Sequence, residues 1–311
     1  MEMVRGLHNI RPEHRGCAAT IGSFDGIHLG HQAVLAQLVA QGRERRLPIT
    51  LITFEPQPRE YFMPEEAPPR LTRFREKLEV LQHCGIERVV CLRFNAYLAS
   101  LTADEFIQRI MLDGLAVKYL VVGDDFRFGK GRIGDYALLE QAGKTHGFPV
   151  VTMPTFNIGN HRVSSTRIRV ALNKGDFNSA EALLGRPYWM SGRVAHGDKR
   201  GRTIGFPTAN IFMHRNAVPV DGVFAVEMCG IDDRPIAGVA NVGTRPTVDG
   251  SRALLEVHLF DFDRDIYGRH VQVSFLKKLR PERKFDSFEL LKQQIELDAE
   301  QARAFFTGTA A

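Results

Sequence analysis

The sequence predicts an α/β first half built on a mostly parallel sheet, then an antiparallel β half closed by one helix. Two observations carry this. Up to about residue 155, apolar runs of strand length alternate with helical patterns, the signature of strand–helix–strand crossovers. Beyond Gly185 and Pro187, short β-like runs follow one another, separated by glycine, proline and aspartate, with no helix between them. A domain boundary is therefore placed near residue 186, giving domains 1–186 and 187–311.

The first strand is Cys17 to Ile21, and Val34, Leu35, Leu38 and Val39 then recur at helical spacing. Pro48 to Phe54 reads as a buried strand from its β-branched content. Phe74, Leu78 and Leu81 mark a helix within residues 72–84, and Arg88 to Phe94 the next strand. Thr102 and Glu105 form a capping box ahead of Phe106, Ile107 and Ile110. Strands follow at Tyr119 to Gly123 and Phe148 to Val151. Helical patterning resumes at Val170 to Leu172 and ends with Asp176 to Leu184. In the second half, Tyr188 to Val194, Val223 to Cys229, Ile236 to Val242, Leu254 to Phe260 and Val271 to Leu276 suit a small antiparallel barrel or sandwich. A helix from about Ser287 to Phe306 closes the chain, with Asp286 or Ser287 as its cap.

The 311 residues are 44% hydrophobic and 25% charged, as in a water-soluble globular protein. A net charge of +5, with no lysine- or arginine-rich tail, favours anionic small molecules over nucleic acid as partners. Cys17, Cys84, Cys91 and Cys229 show no metal-ligand or redox spacing. The first residues lack a signal-peptide core, and no apolar run approaches the ~18 residues needed to span a bilayer. A cytoplasmic location without membrane partners is expected, with a weak homo-oligomer left open.

Between the first strand and first helix lies Gly22-Ser23-Phe24-Asp25-Gly26-Ile27-His28-Leu29-Gly30-His31. Glycines at 22, 26 and 30 allow close backbone approach, and a helix N-terminus offers unpaired N–H groups to an anion. His28 and His31, three apart, share one face of the first turn. One histidine there would read as a solvated turn residue; the H-x-G-H pair in this context points to phosphate chemistry. Parallel sheets bind ligands beyond their strand carboxyl ends. At those ends stand Glu55-Pro56-Gln57-Pro58-Arg59 and Gly123 to Lys130. Phe54, Phe126 and Phe128, with Pro56, Pro58, Arg59, Asp125 and Arg127, suit a planar aromatic ligand carrying a phosphate. Ser164, Ser165, Thr166 and Arg167 sit at a helix start and form a second candidate anion site. There is no G-x-x-x-x-G-K-[ST] loop, nor a G-x-G-x-x-G after the first strand. H-x-G-H with the late Ser/Thr/Arg turn instead resembles the nucleotidyltransferase superfamily. That likeness implies attack on the α-phosphorus of ATP with release of pyrophosphate.

In the second half, Gly192 to Asn210 holds a glycine-rich, basic stretch suited to polyphosphate. Thr208 and Asn210 offer hard oxygen donors on one side of an extended segment, as Mg²⁺ requires. Alternation along Leu255-Glu256-Val257-His258-Leu259 puts Glu256 and His258 on one face. Facing inward, Glu256 would be a carboxylate held in a barrel, able to take a proton from an alcohol; facing outward, it would be an ordinary solvated side chain.

The stretches Gly192 to Asn210, Gly238 to Thr247 and the Glu256 strand together resemble riboflavin kinase. With Gly22 to His31 and Gly123 to Gly129, the whole chain resembles the prokaryotic bifunctional riboflavin kinase/FAD synthetase family. The resemblance implies a Rossmann-like nucleotidyltransferase domain followed by a riboflavin kinase barrel. Riboflavin would be phosphorylated to FMN, and FMN adenylylated to FAD, with ATP and Mg²⁺. It implies His28 and His31 as catalytic, with Gly22, Ser23, Phe24, Asp25, Gly26, Gly30 and Ser164 to Arg167 at that ATP. Phe54, Pro56, Pro58, Arg59, Asp125, Phe126 and Phe128 would hold the flavin there. In the kinase, Gly192, His196, Gly197, Lys199, Gly201, Thr208 and Asn210 would bind ATP, Thr208 and Asn210 also the metal. Glu256 would be the base, and Arg280 would lie on the flavin side. Phe224 departs from the family, where tyrosine is common.

Overall fold

The computed structural model describes residues 1–196, 206–215, 217–247 and 250–308. The chain divides into two compact units, Met1–Pro68 with Lys77–Ser164, and Pro69–Glu76 with Ser165–Ala311.

The first unit contains six parallel strands: β1 (Glu2–Arg5), β2 (Ala18–Ile21), β3 (Ile49–Glu55), β4 (Arg88–Arg93), β5 (Tyr119–Gly123) and β6 (Val150–Met153). Their order is β1-β4-β3-β2-β5-β6. β2 and β5 are buried along almost their whole length, which is why their sequences read as continuous apolar runs. The helices are α1 (Leu29–Glu44), α2 (Pro58–Phe62), α3 (Phe74–His83), α4 (Ala96–Ser100), α5 (Ala103–Phe106) and, after β5, α6 (Tyr136–His146). One face of the sheet packs Leu35, Leu38, Leu51 and Val121 beneath α1; the other packs Ile52, Leu92, Ile110 and Leu120. The expected capping box is present: Thr102 Oγ1 accepts from the Glu105 N–H, and Glu105 Oε2 accepts from the Thr102 N–H. β1 has only one buried residue, Val4, and carried no strand signal of its own; it is the edge strand and pairs along β4. A two-stranded ribbon, β7 (Asn157–Ile158) with β8 (His161–Arg162), completes the unit.

The second unit is a closed antiparallel barrel of β9 (Tyr188–Ala195), β10 (Ala209–Phe212), β11 (Gly222–Cys229), β12 (Ile236–Thr247), β13 (Gly250–Leu259) and β14 (His270–Arg280). Strand order is β10-β13-β12-β11-β14-β9, which settles barrel over sandwich. The short strand β10 was not separately expected, yet pairing with both β13 and β9 makes it the closing strand. Phe224, Val226, Val242, Leu255 and Val257 are all buried and fill the interior. Helix α7 (Ser165–Lys174) and helix α8 (Phe177–Leu184) fold with this unit, so the compact units divide ahead of the expected residue 186. The cause is packing: the Phe177 ring meets Phe224 edge-on at 5.7 Å and stacks on Phe275 at 6.3 Å. Helix α9 (Phe288–Thr307) starts where expected, with Ser287 Oγ accepting from the Leu290 N–H. Its buried Ala299 and Ala302 lie over Val223, Ala225 and Val239 on the barrel's outer wall.

Candidate active sites

In the first unit the chain leaves β2 at Ile21, turns through Gly22 to Ile27, and enters α1 with His28 as N-cap. His28 Nδ1 accepts the His31 backbone N–H at 3.2 Å. An imidazole that accepts at Nδ1 carries its proton on Nε2, so a neutral His28 keeps one N–H donor. The two rings stack, centroids 3.6 Å apart at 12°, and Phe24 lies 4.8 Å from His31. Burial depresses the His28 pKa to about 4, against smaller opposing effects from its backbone hydrogen bond and nearby Asp25. His31 is pushed well below 6.5, first by burial and then by His28 and Lys77. Both shifts favour the neutral imidazole at physiological pH. Gly30 leaves room for the ring: a Cβ there would stand 3.3 Å from the His28 ring and 3.4 Å from Phe156 Cβ.

The other expected residues of this unit separate into a core set and a surface set. Phe54 and Phe128 are nearly inaccessible and belong to the core, whereas Phe126 is half-buried and stacks on Phe128 at 5.6 Å. Pro56 and Arg59 are exposed around Pro58, which opens α2. Asp125 is exposed and ion-paired with Arg162 of β8. Arg162 stood in the late basic stretch but was not singled out; only its fold partner, 37 residues away in sequence, identifies it. Asp25 is buried, and Ser164 is half-buried at the end of this unit. Ser165, Thr166 and Arg167 begin α7 in the second unit.

The second unit carries a cavity of about 400 Å³ between the outer barrel wall and α9. Thr208, Asn241, Glu256, His258 and Arg280 line it from the barrel, Phe288, Leu291 and Asp298 from the helix. Glu256 therefore does not point into the barrel. Leu255 and Val257 take the interior, and the polar face of β13 forms the cavity wall. The register sets Asn210, Glu256 and Asn241 side by side on β10, β13 and β12. His258 Nδ1 donates to the Pro207 carbonyl at 2.9 Å, and burial lowers its pKa. Arg280 is fixed by a fork of hydrogen bonds to Asp298, Nε to Oδ1 at 2.8 Å and Nη2 to Oδ2 at 2.7 Å. Asp298 was not found in the sequence, where it reads as one acid among several on α9. Gly192 allows close strand approach, since a Cβ would lie 2.5 Å from the Phe212 carbonyl oxygen. His196 is exposed, its ring 3.8 Å from that of Tyr267. Gly197, Lys199 and Gly201 lie outside the described residues. Among the described residues, no group of three or more His, Cys, Asp or Glu could hold a metal.

Two family models match the chain in tandem, FAD synthetase over residues 10–167 and riboflavin kinase over residues 184–306. The bifunctional riboflavin kinase/FMN adenylyltransferase of Escherichia coli K12 is 52% identical over 307 residues, covering 98% of each chain. The chain belongs to this bifunctional family. The Pseudomonas fluorescens relative is 51% identical over 311 residues, covering 100% of this chain and 99% of its own. A crystal structure described as a macrolide-efflux protein from Streptococcus pneumoniae is 34% identical, with a TM-score of 0.80 over 97% of this chain and 99% of that one. That description belongs to that protein. Among the described residues here, no helix is long and apolar enough to cross a membrane.

Proposed function

We propose that the two reactions of this bifunctional enzyme are divided between the two sites just described. The chain is a riboflavin kinase and an FMN adenylyltransferase, with ATP, riboflavin, FMN and FAD as substrates or products. The functional boundary stays near residue 186, close to residue 184 where the riboflavin kinase match begins, although α7 and α8 fold with the barrel.

For adenylylation, the observation that carries the reading is the stacked, neutral His28–His31 pair at the α1 N-terminus. An FMN phosphate oxygen forms a bond to the α-phosphorus of ATP as the bond to the β-phosphate oxygen breaks. His28 Nε2–H and the helix N–H groups meet the charge that grows on the phosphoryl oxygens. Gly22 to Gly26, Gly30 and Ser164 are assigned to ATP, and Ser165, Thr166 and Arg167 to its far phosphates from their motif. The half-buried Phe126, backed by Phe128 and Phe54, is assigned to the flavin ring, with Pro56, Pro58, Arg59 and Asp125 beside it.

For phosphorylation, riboflavin occupies the cavity under α9, whose volume suits a fused-ring ligand. Glu256 accepts the proton of the 5′-hydroxyl as that oxygen bonds to the γ-phosphorus and ADP leaves. Arg280, locked by Asp298, borders the flavin. The Thr208 hydroxyl and Asn210 carbonyl are hard oxygen donors that fit Mg²⁺ shared with phosphates. When bound, the cation neutralises phosphate charge. His196, Gly192 and the glycines and lysine of the following loop are assigned to the same ATP. The modest net charge of +5 with no basic tail, the four free cysteines and the two small-molecule sites support a cytoplasmic enzyme without nucleic-acid or membrane partners.

Supplying riboflavin, ATP and Mg²⁺ and separating products tests the division. Glu256→Ala loses FMN formation yet converts supplied FMN to FAD; His28→Ala accumulates FMN. Loss of both reactions in either folded variant contradicts it.

A further inference from the structure

The segment Pro207-Thr208-Ala209-Asn210 enters the barrel as β10, alongside β13. The ladder between them pairs Ile211 with Leu255, Asn210 with Glu256 and, at its end, Ala209 with Val257. One step further, the same register would set Thr208 opposite His258. Pro207 comes next in that direction, and it has no N–H with which to carry a ladder onward. Its carbonyl is held instead by a side chain, His258 Nδ1, at 2.9 Å. A carbonyl only accepts, so Nδ1 carries the proton and donates. Thr208 therefore lies between two ties, the backbone ladder at Ala209 and the imidazole bond at Pro207. The ring itself is fixed by neighbours. Phe206 meets it edge-on at 5.1 Å and Phe260 at 6.0 Å. Arg303 of α9 lies over the Phe260 ring at 4.3 Å and grips both oxygens of Asp261 at 2.9 Å. His258, Thr208 and Glu256 line the same cavity.

We propose that His258 is a positioning residue for riboflavin phosphorylation, its Nδ1–H holding the Pro207 carbonyl so that Thr208 is presented to the phosphates of ATP beside the Glu256 strand. This rests on the assignment of Thr208 and Asn210 to ATP and its cation. The two assigned ligands are secured differently. Asn210 is paired on both sides, with Glu256 of β13 and Ala195 of β9. Thr208 lies beyond both ladders, where a strand end frays unless something else fastens it. The His258 bond supplies that fastening. Two substitutions take the imidazole's features apart: asparagine keeps an N–H donor near the place of Nδ1 without a ring, and phenylalanine keeps a ring without a donor.

The test uses the full chain, with FAD formation from supplied FMN as the control on the first unit. His258→Phe lowers kcat/KM for ATP in riboflavin phosphorylation by about 10²-fold, the loss expected when a ligand group is displaced by about 1 Å. His258→Asn stays within about fivefold of the unaltered chain, because the donor is kept. A second readout needs neither substrate nor cation. Amide hydrogen exchange over residues 206–212 of the ligand-free chain quickens about tenfold in His258→Phe, the effect of one lost hydrogen bond, and stays slow in His258→Asn. Undiminished phosphorylation in His258→Phe, His258→Asn as impaired as His258→Phe, or unaltered exchange over 206–212 in His258→Phe overturns the proposal. So does a loss confined to KM for riboflavin, which would make His258 a wall of the flavin cavity and nothing more. Should His258→Phe fail to fold, His258→Leu, which also lacks a donor, takes its place. If Thr208→Val phosphorylates riboflavin normally, the ATP assignment itself fails, and hydrogen exchange still decides whether His258 holds the segment.

Discussion

The fork between Arg280 and Asp298 makes a quantitative prediction about the kinase. Asp298 is 3% exposed and accepts from both Arg280 and Gln294. Asp298→Ala leaves the guanidinium facing the cavity without its carboxylate. Removing one partner of a buried pair costs about 3–5 kcal/mol. Arg280 keeps its hydrogen bond to the Pro281 carbonyl and stays partly open to solvent, so the lower end, about 3 kcal/mol, applies. Two readouts follow. The urea midpoint at which riboflavin phosphorylation is lost falls, because α9 loses a polar anchor. In native buffer KM for riboflavin rises at least tenfold, equivalent to about 1.4 kcal/mol of lost binding, while FAD formation from supplied FMN is unchanged. Asp298→Asn, which keeps the shape and one acceptor, falls between. A KM within twofold of the unaltered chain in folded Asp298→Ala would refute the claim that Arg280 must be held to serve the flavin.

The segment 69–76 is tied to the barrel by Glu76, which is wholly buried, pairs with Arg215 and Arg73, and accepts the Ser191 N–H at 3.0 Å. Glu76→Gln should destabilise the barrel unit by about 3 kcal/mol, read as a lowered denaturation midpoint for kinase activity; an unchanged midpoint would dismiss the network. Gly30→Ala crowds the His28 ring and should cut FAD formation about tenfold, roughly 1.4 kcal/mol in barrier, with riboflavin phosphorylation intact. Normal FAD formation would show that the ring can shift freely. His28 also links stability to pH. Its folded pKa of about 4 lies below the 6.5 of the unfolded chain, so the unfolded state binds more protons between those values. Stability present above pH 6.5 is lost as pH falls toward 4, by about 3 kcal/mol from this residue. Denaturation midpoints of the first unit measured from pH 7.5 to 4.5 should decline in the unaltered chain and less so in His28→Ala.

Much of the first site was legible because its parts are local. A strand, three glycines and two histidines within ten residues define a helix N-terminus, and 3.6-residue periodicity alone places His28 and His31 together. The aromatic wall was less legible. Phe54, Phe126 and Phe128 have the same composition on paper, but only tertiary packing shows that two are core and one is accessible. Arg162 was hidden for a related reason. Its carboxylate partner, Asp125, lies 37 residues away, and an isolated arginine in sequence looks like a solvated charge.

The Glu256 strand shows why periodicity reaches only so far in a barrel. Alternation correctly separates Glu256 and His258 from Leu255, Val257 and Leu259, but it does not say which face meets the interior. A six-stranded barrel is narrow, and its interior is filled by apolar side chains; a carboxylate there would lose hydration without room for substrate. The polar face therefore belongs outside, where it would be solvated unless another element covers it. Helix α9 is that element. Its buried alanines let it lie close to β11 and β12, and Asp298 projects back to Arg280. The same helix thus converts an outer strand face into a half-buried wall that places Glu256 at the edge of the cavity. Reading the Glu256 strand correctly required reading the last helix with it, though the strand ends at Leu259 and the helix begins only at Phe288.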